Sequence, residues 1–229
     1  MKLSISQRKR DVMRYESRKT TKLVLGNGGF TLIELAIVLI IIGIIIGAVV
    51  KGKDLIRGGE QKKIYTKFIS EWRTAYLNFY DRTGRVLGDT NGDGRADSNP
   101  SNNGSIPSDK GRDALLSGDT LHNPPKFYGL AQIGLNSPKT NTDKSWKYRY
   151  SDSSGKAHEM MLAFDFDTRE KYNYMQIVNI PNELCMAMDT MIDGEADGTK
   201  GDFIGDGGDG QAWGGSPTAV NTARWKMEF

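Results

Sequence analysis

An uncharged apolar run carrying one carboxylate limits what this chain can be. Residues 30–50 are built from Ile, Leu, Val, Ala and Gly after an opening Phe30 and Thr31, and the single ionisable side chain among them is Glu34. As an α-helix rising 1.5 Å per residue, the run is about 30 Å long, the thickness of bilayer hydrocarbon. No second run of this kind occurs in the 229 residues, so the sequence predicts one membrane span. An ionised carboxylate in lipid costs about 3 kcal/mol on insertion scales, which marks Glu34 as functional and in need of a partner. The alternative is that Glu34 sits at headgroup depth and does nothing.

Charge on either side of the run separates a leader from a mature part. Residues 1–29 hold eight Lys and Arg against Asp11 and Glu16 and show no hydrophobic periodicity before Leu23, so they are read as a processing segment outside the fold. An ordinary secretory signal has a shorter apolar core and then an Ala-x-Ala-like site. Here the run ends Gly47-Ala48-Val49-Val50-Lys51 and no such site follows. Six basic residues, Lys51, Lys53, Arg57, Lys62, Lys63 and Lys67, come soon after, so charge alone gives only a weak lean toward a cytoplasmic amino terminus. Removing residues 1–29 would turn the formal charge of +3 into about −3, which argues against a nucleic-acid binder.

The junction Gly29-Phe30-Thr31-Leu32-Ile33-Glu34, with its basic leader and uncharged sequel, resembles the class III signal of type IV pilins and type II secretion pseudopilins. The resemblance implies that a prepilin peptidase cuts after Gly29 and methylates the new amino terminus at Phe30, and that Glu34, fifth residue of the product, is required for fibre assembly. Electrostatics agrees with that role: an ammonium on Phe30 in low dielectric needs a counter-charge, which Glu34 of a neighbouring subunit would supply. The small residues Gly43, Gly47 and Ala48 would allow close helix approach in lipid. The resemblance further implies a single-pass inner-membrane precursor with its head in the periplasm. Its partners would be other pilin or pseudopilin subunits, an assembly ATPase and a platform membrane protein. It leaves type IV pilus, type II secretion filament and DNA-uptake system undivided.

Beyond the span the helix is expected to continue to about Tyr80. Ile64, Phe68, Trp72, Tyr76 and Phe79, flanked by Ile69 and Tyr80, recur at three- and four-residue steps and form one apolar stripe, read as core packing against a head. The first proline is Pro100, a departure from the many pilins that carry one in this stretch. Gly43, Gly47, Gly52, Gly58 and Gly59 are therefore the expected places of bending, each costing about 1 kcal/mol against Ala.

The helix should stop at Asp81-Arg82-Thr83-Gly84, and residues 81–141 read as an irregular loop region with one short helix near 112–116. Within it Asp89, Asn91, Asp93 and Asp97 stand at positions 1, 3, 5 and 9 of an EF-hand-type calcium loop, with Gly94 at the sharp turn. Pro100 occupies the twelfth position, where the bidentate Glu belongs, so a site needs an outside oxygen, for which Asp109 is a guess. A solvated turn explains the same residues. A second acidic stretch runs through Asp193, Glu195 and Asp197 to Asp202, Asp206 and Asp209, and calcium or a flexible loop both fit it. It resembles the Asp-Asp-Gly plus Thr-Gly loop of pilin-signal proteins, with Ile192 in place of the first Asp. Arg82 to Asp89 is similar to their Leu-Pro-Gly-Asp turn, except that Leu87 is followed directly by Gly88.

Residues 142–229 alternate in the manner of strands: Trp146, Tyr148 and Tyr150; then 160–166; 174–180; and Ala223, Trp225, Met227 and Phe229. Short separations favour antiparallel pairing, and a helix from Pro181 to about Thr190 interrupts them. The fold class is thus α+β: a leader 1–29, a long helix 30–80, and a head 81–229 whose antiparallel sheet packs on the helix stripe. The lone Cys185 excludes an internal disulfide and reads as a buried bystander. An enzyme finds little support. His122 and His158 lack zinc-ligand spacing, no phosphate loop or Gly-x-Ser-x-Gly occurs, and Asp165 and Asp167, sharing one strand face, read as solubilising charges.

Overall fold

The computed structural model describes residues 29–96, 109–120, 123, 125–206 and 212–229. The leader before Gly29 and the readings at Asp97, His122 and Asp209 lie outside these residues, as does the side chain of Asp109. Two compact units divide the chain, Met1–Val49 and Val50–Phe229.

The described part of the first unit is the opening of helix α1 (Leu32–Ile64). Every one of its side chains is exposed from Leu32 through Val49, the large apolar ones included. This is the one helix among the described residues long and apolar enough to cross a membrane.

In the second unit α1 runs on to Ile64, passes through a π turn at Tyr65–Ile69 and continues as α2 (Ser70–Thr83). The backbone stays helical through Gly43, Gly47, Gly52, Gly58 and Gly59, so none of the glycines at which bending was expected melts the helix. The irregularity falls instead at the π turn, where one extra residue lets both Phe68 and Ile69 point into the core, each 0% exposed. Helix α2 ends at Gly84, whose positive φ of 66° lets its N–H donate to the Tyr80 carbonyl at 2.7 Å.

The predicted stripe is the core. Trp72, Tyr76 and Phe79 are buried, and the rings of Trp72 and Tyr76 meet Phe164 at centroid distances of 6.1 and 4.9 Å. Phe164 belongs to a five-stranded antiparallel sheet of β1 (Lys147–Ser151), β2 (Ala157–Asp167), β3 (Tyr172–Pro181), β4 (Phe203–Gly205) and β5 (Val220–Lys226), in the order β1-β2-β3-β5-β4. Leu162, Phe164, Met175, Ile177, Ala223 and Trp225 alternate toward the helix, as their spacing dictates. The helix α3 (Asp109–Ser117) is longer than expected, and α4 (Asn182–Asp193) buries Leu184, Cys185 and Met188. Burial pushes the Cys185 thiol up, which keeps it inert.

Three expectations need correction. Strand β5 ends at Lys226, because the chain then turns to stack the Phe229 ring on Tyr80, with centroids 4.1 Å apart. Strand β4 is too short to show a period in sequence. Asp167 is buried rather than solvated: on the outer sheet face it accepts a bond from Arg224 at 2.7 Å, and Arg224 also pairs with Asp206 and lies over the Tyr174 ring.

Both sheet edges are closed by side chains. On β1, Asn141 donates to the Arg149 carbonyl at 2.7 Å and accepts its N–H at 2.8 Å, while the Thr142 hydroxyl donates to the Lys147 carbonyl at 3.1 Å. On β4, the Asp193 carboxylate accepts the Phe203 N–H at 2.8 Å, and Gly205 donates to the Gly198 carbonyl at 2.8 Å. These are the backbone groups an added strand would use.

Candidate functional site

The first site is the start of α1. Gly29 and Phe30 precede the helix, and Phe30 is 81% exposed. Thr31 is the N-cap. Its backbone N–H and its hydroxyl both donate to Glu34 Oε2, at 2.7 and 2.9 Å, and the Glu34 N–H donates back to Thr31 Oγ1 at 3.3 Å. Thr-x-x-Glu is a capping box, which satisfies helix-end donors that would otherwise face lipid unpaired. The motif was legible at Thr31 and Glu34, but reading Glu34 only as a charge in lipid passed over it. The bonds come from Thr31, so a cut after Gly29 leaves them intact. Glu34 Oε1 has no partner among the described residues, which leaves one carboxylate oxygen for a cation from outside.

The acidic loops of the head are held by their own backbone. Asp89, 4% exposed, accepts N–H bonds from Asn91, Gly92 and Gly94 at 3.2, 2.6 and 2.9 Å. Asn91 accepts the Asp93 N–H at 3.1 Å, and Asp93 accepts the Arg95 N–H at 3.0 Å. Positions 1, 3 and 5 of the expected loop thus fold as successive Asx turns, with Gly92 and Gly94 at φ of 82° and 83°. In the second loop Asp193 accepts from Asp202 and Phe203, Asp197 accepts from Thr199 and Lys200, and Glu195 is exposed. Asp193, Glu195 and Asp197 are therefore not brought to one point. Among the described residues no three His, Cys, Asp or Glu side chains converge as metal ligands.

Two anchors of these loops were missed from sequence. Asn173, buried at the start of β3, accepts the Ala96 N–H at 2.6 Å and donates to the carbonyls of Gly94 and Phe229 at 3.1 and 2.7 Å. Asp189, 0% exposed in α4, accepts the Gly198 N–H at 2.9 Å and the indole N–H of Trp213. Burial pushes its carboxyl pKa up, and the charges of Asp193 and Asp197 add to the shift. A polar residue one turn after the buried Cys185 was the available signal.

The remaining titratable cluster is structural. At the β1–β2 hairpin Asp152 accepts the Ser154 hydroxyl and N–H, the Lys156 N–H and a bond with His158 Nε2 at 2.8 Å. Those donors, with Ser154 foremost, hold its carboxyl well below the usual range despite burial. Ser154 gives its proton to Asp152 and not to His158, so the three do not form a nucleophile relay.

Comparison with known proteins adds a match confined to the amino-terminal region. Compared with curated proteins and with solved structures, the chain matches none. A family model described as the prokaryotic N-terminal methylation motif matches residues 25–50, spanning Gly29, Phe30, the capping box and the apolar run, so this chain carries the type IV pilin and pseudopilin signal ahead of an α+β head of pilin-like layout.

Proposed function

We propose that the chain is a filament subunit, a minor pilin or a pseudopilin of a type IV pilus or type II secretion system. It is cut after Gly29, methylated on Phe30 and assembled through its amino-terminal helix. The observation that carries this reading is a fully exposed apolar helix whose one carboxylate, Glu34, sits in a capping box directly after the junction glycine. Helices in lipid associate through packing and satisfied polar groups. An ammonium on Phe30 of one subunit facing Glu34 Oε1 of the next sets axial register. On this reading the precursor is a single-pass inner-membrane protein with a periplasmic head. Prepilin peptidase, an assembly ATPase and a platform membrane protein act on it, and the head has no catalytic task. Calcium belongs to the proposal at one place, the Asp89, Asn91 and Asp93 loop, where three side-chain acceptors already lie on consecutive turns. A loop without the bidentate twelfth ligand belongs in the weak class, with Kd near 10⁻⁴–10⁻³ M on the order of extracellular modules.

The test is the mass of the amino-terminal peptide after expression with and without a prepilin peptidase. A peptide beginning at methylated Phe30 is the expected result. An intact leader beside active peptidase overturns the reading and leaves an unassembled single-pass periplasmic calcium sensor or adhesin.

A further inference from the structure

The helix just beyond the apolar run presents an exposed face that meets its own head only at one edge, where Lys63 borders a cavity with Tyr148 and Arg149 of β1. Residues 51–67 hold six Lys and Arg against Asp54 and Glu60. The inward side is settled by burial: Ile64 and Phe68 are in the core, and Arg57 and Gln61 reach Glu183 at 3.8 and 3.4 Å. Lys51, Leu55 and Lys62 lie in one row on the other side, with Ile56 and Lys63 in the next row, following the 3.6-residue turn. All five are exposed, Leu55 at 79% and Ile56 at 68%, and the three lysines have no partner among the described residues. The surface therefore combines two aliphatic side chains with three lysines, and Glu60 borders it beside Ile56 and Lys63.

Two kinds of surface would complement it, an anionic lipid headgroup layer and an acidic protein. Reach decides between them. Counting from Val50, Lys62 and Lys63 stand about 18–20 Å along the helix. The polar layer of a bilayer leaflet is only about 5–8 Å deep, and charges are screened over about 8 Å. Lys51 can serve lipid, but Lys62 and Lys63 cannot. The acidic surface is present in the chain itself: residues 81–229 carry twenty-two Asp and Glu against sixteen Lys and Arg. In the loop after α4, Glu195 and Asp202 are exposed, and neither carboxylate is spent on a partner among the described residues. Because Asn141, Thr142, Asp193 and Gly198 occupy edge groups of β1 and β4, strand addition between heads is blocked at those positions, and side-chain complementarity is the better route to contact.

We propose that the face formed by Lys51, Leu55, Ile56, Lys62 and Lys63 docks a second copy of this chain, through the acidic loop that carries Glu195 and Asp202. This rests on the filament reading and names the contact that the apolar helix alone does not provide. Leu55 and Ile56 form the dry centre, and the charge pairs fix orientation and partner choice.

The test is charge reversal and its rescue in the full chain, expressed with its assembly system and scored by the amount of subunit in sheared filaments at low and high salt. Lys62→Glu with Lys63→Glu is expected to lower incorporation at least tenfold, and adding Glu195→Lys with Asp202→Lys in the same chain is expected to restore it. Unchanged incorporation of the reversed pair overturns the inference. So does a loss that the second pair does not restore, which would place lipid or another protein on the face. Absence of the wild-type chain from filaments, with Phe30 unprocessed, is instead a failure of the filament reading. Exposed lysines on a helix surface change stability by about 0.5 kcal/mol or less, so an unaltered melting curve of the variant separates docking from folding.

Discussion

The two ends of one continuous helical stretch do opposite things with similar side chains. Residues 32–49 leave every side chain exposed, whereas Phe68, Ile69, Trp72 and Tyr76, which begin directly after the basic segment 51–67, are each 0% exposed. Apolar content does not separate them, but period does. The first stretch is apolar all round, and the second has one stripe with Lys67, Glu71, Arg73 and Asn78 on its other faces. A helix apolar on all sides must find its surroundings elsewhere, in lipid or other helices, while a striped one can be completed by its own sheet. On the proposed function, stability and assembly are thereby written into different residues of the same helix.

The largest expected effect is at Glu34. Glu34→Ala should abolish filament incorporation while membrane insertion and the melting temperature of the head stay unchanged, as read by sheared-filament yield beside circular dichroism. Normal incorporation of this variant would erase the contrast. Trp72→Ala should do the reverse. It opens the core against Phe164, strands the Ser145 carbonyl that the indole now reaches at 2.9 Å, and costs about 3–5 kcal/mol. The head should melt roughly 10 °C lower with insertion intact. A third experiment uses pH. Asp152 is held below the usual carboxylate range when folded, so its contribution is complete above the unfolded value near 4 and is lost as pH falls through the lower folded value. Melting temperatures measured downward from pH 5 should fall, and Asp152→Asn should flatten that slope; an unchanged slope would show that the hairpin acid is silent. The smallest effect is calcium. With a Kd near 10⁻³ M, 5 mM calcium against chelator stabilises by about 1 kcal/mol, a rise of about 2–4 °C. No rise would leave the Asp89 turns held by their backbone donors alone.

What was legible follows from which forces act locally. The junction motif at Gly29, the apolar run and the aromatic stripe are periodic or positional signals within a few residues; the family model matches the first two, and the structure buries the third. Strands β1 and β5 were found by their alternation and β2 and β3 as apolar runs, and β4 was lost because three residues have no period. The π turn left no mark, since its cause is the demand of the sheet that Phe68 and Ile69 both be buried. The acids of the head show the limit most clearly. Asp89 and Asp193 stand at ligand spacing in sequence, and the backbone N–H groups that their oxygens accept are supplied by the fold, which spacing alone does not show. Asp167 was taken for a solubilising charge because its partner, Arg224, is 57 residues away. Asn173 has no local signature, and Asp189 has only its place one turn after Cys185, because what they bind is assembled from distant loops.

The closed sheet edges bear on how such a molecule can be stored. A membrane that holds many copies of one chain side by side is a concentrated two-dimensional solution, and two bare strand edges there would seed stacking that no machinery could reverse. With Asn141 and Asp193 occupying those edges, crowded heads offer one another no bare strand at these positions. On the proposed function, a reservoir of subunits could then be filled and drawn down repeatedly, with contact between copies left to the apolar helix and the basic face beyond it.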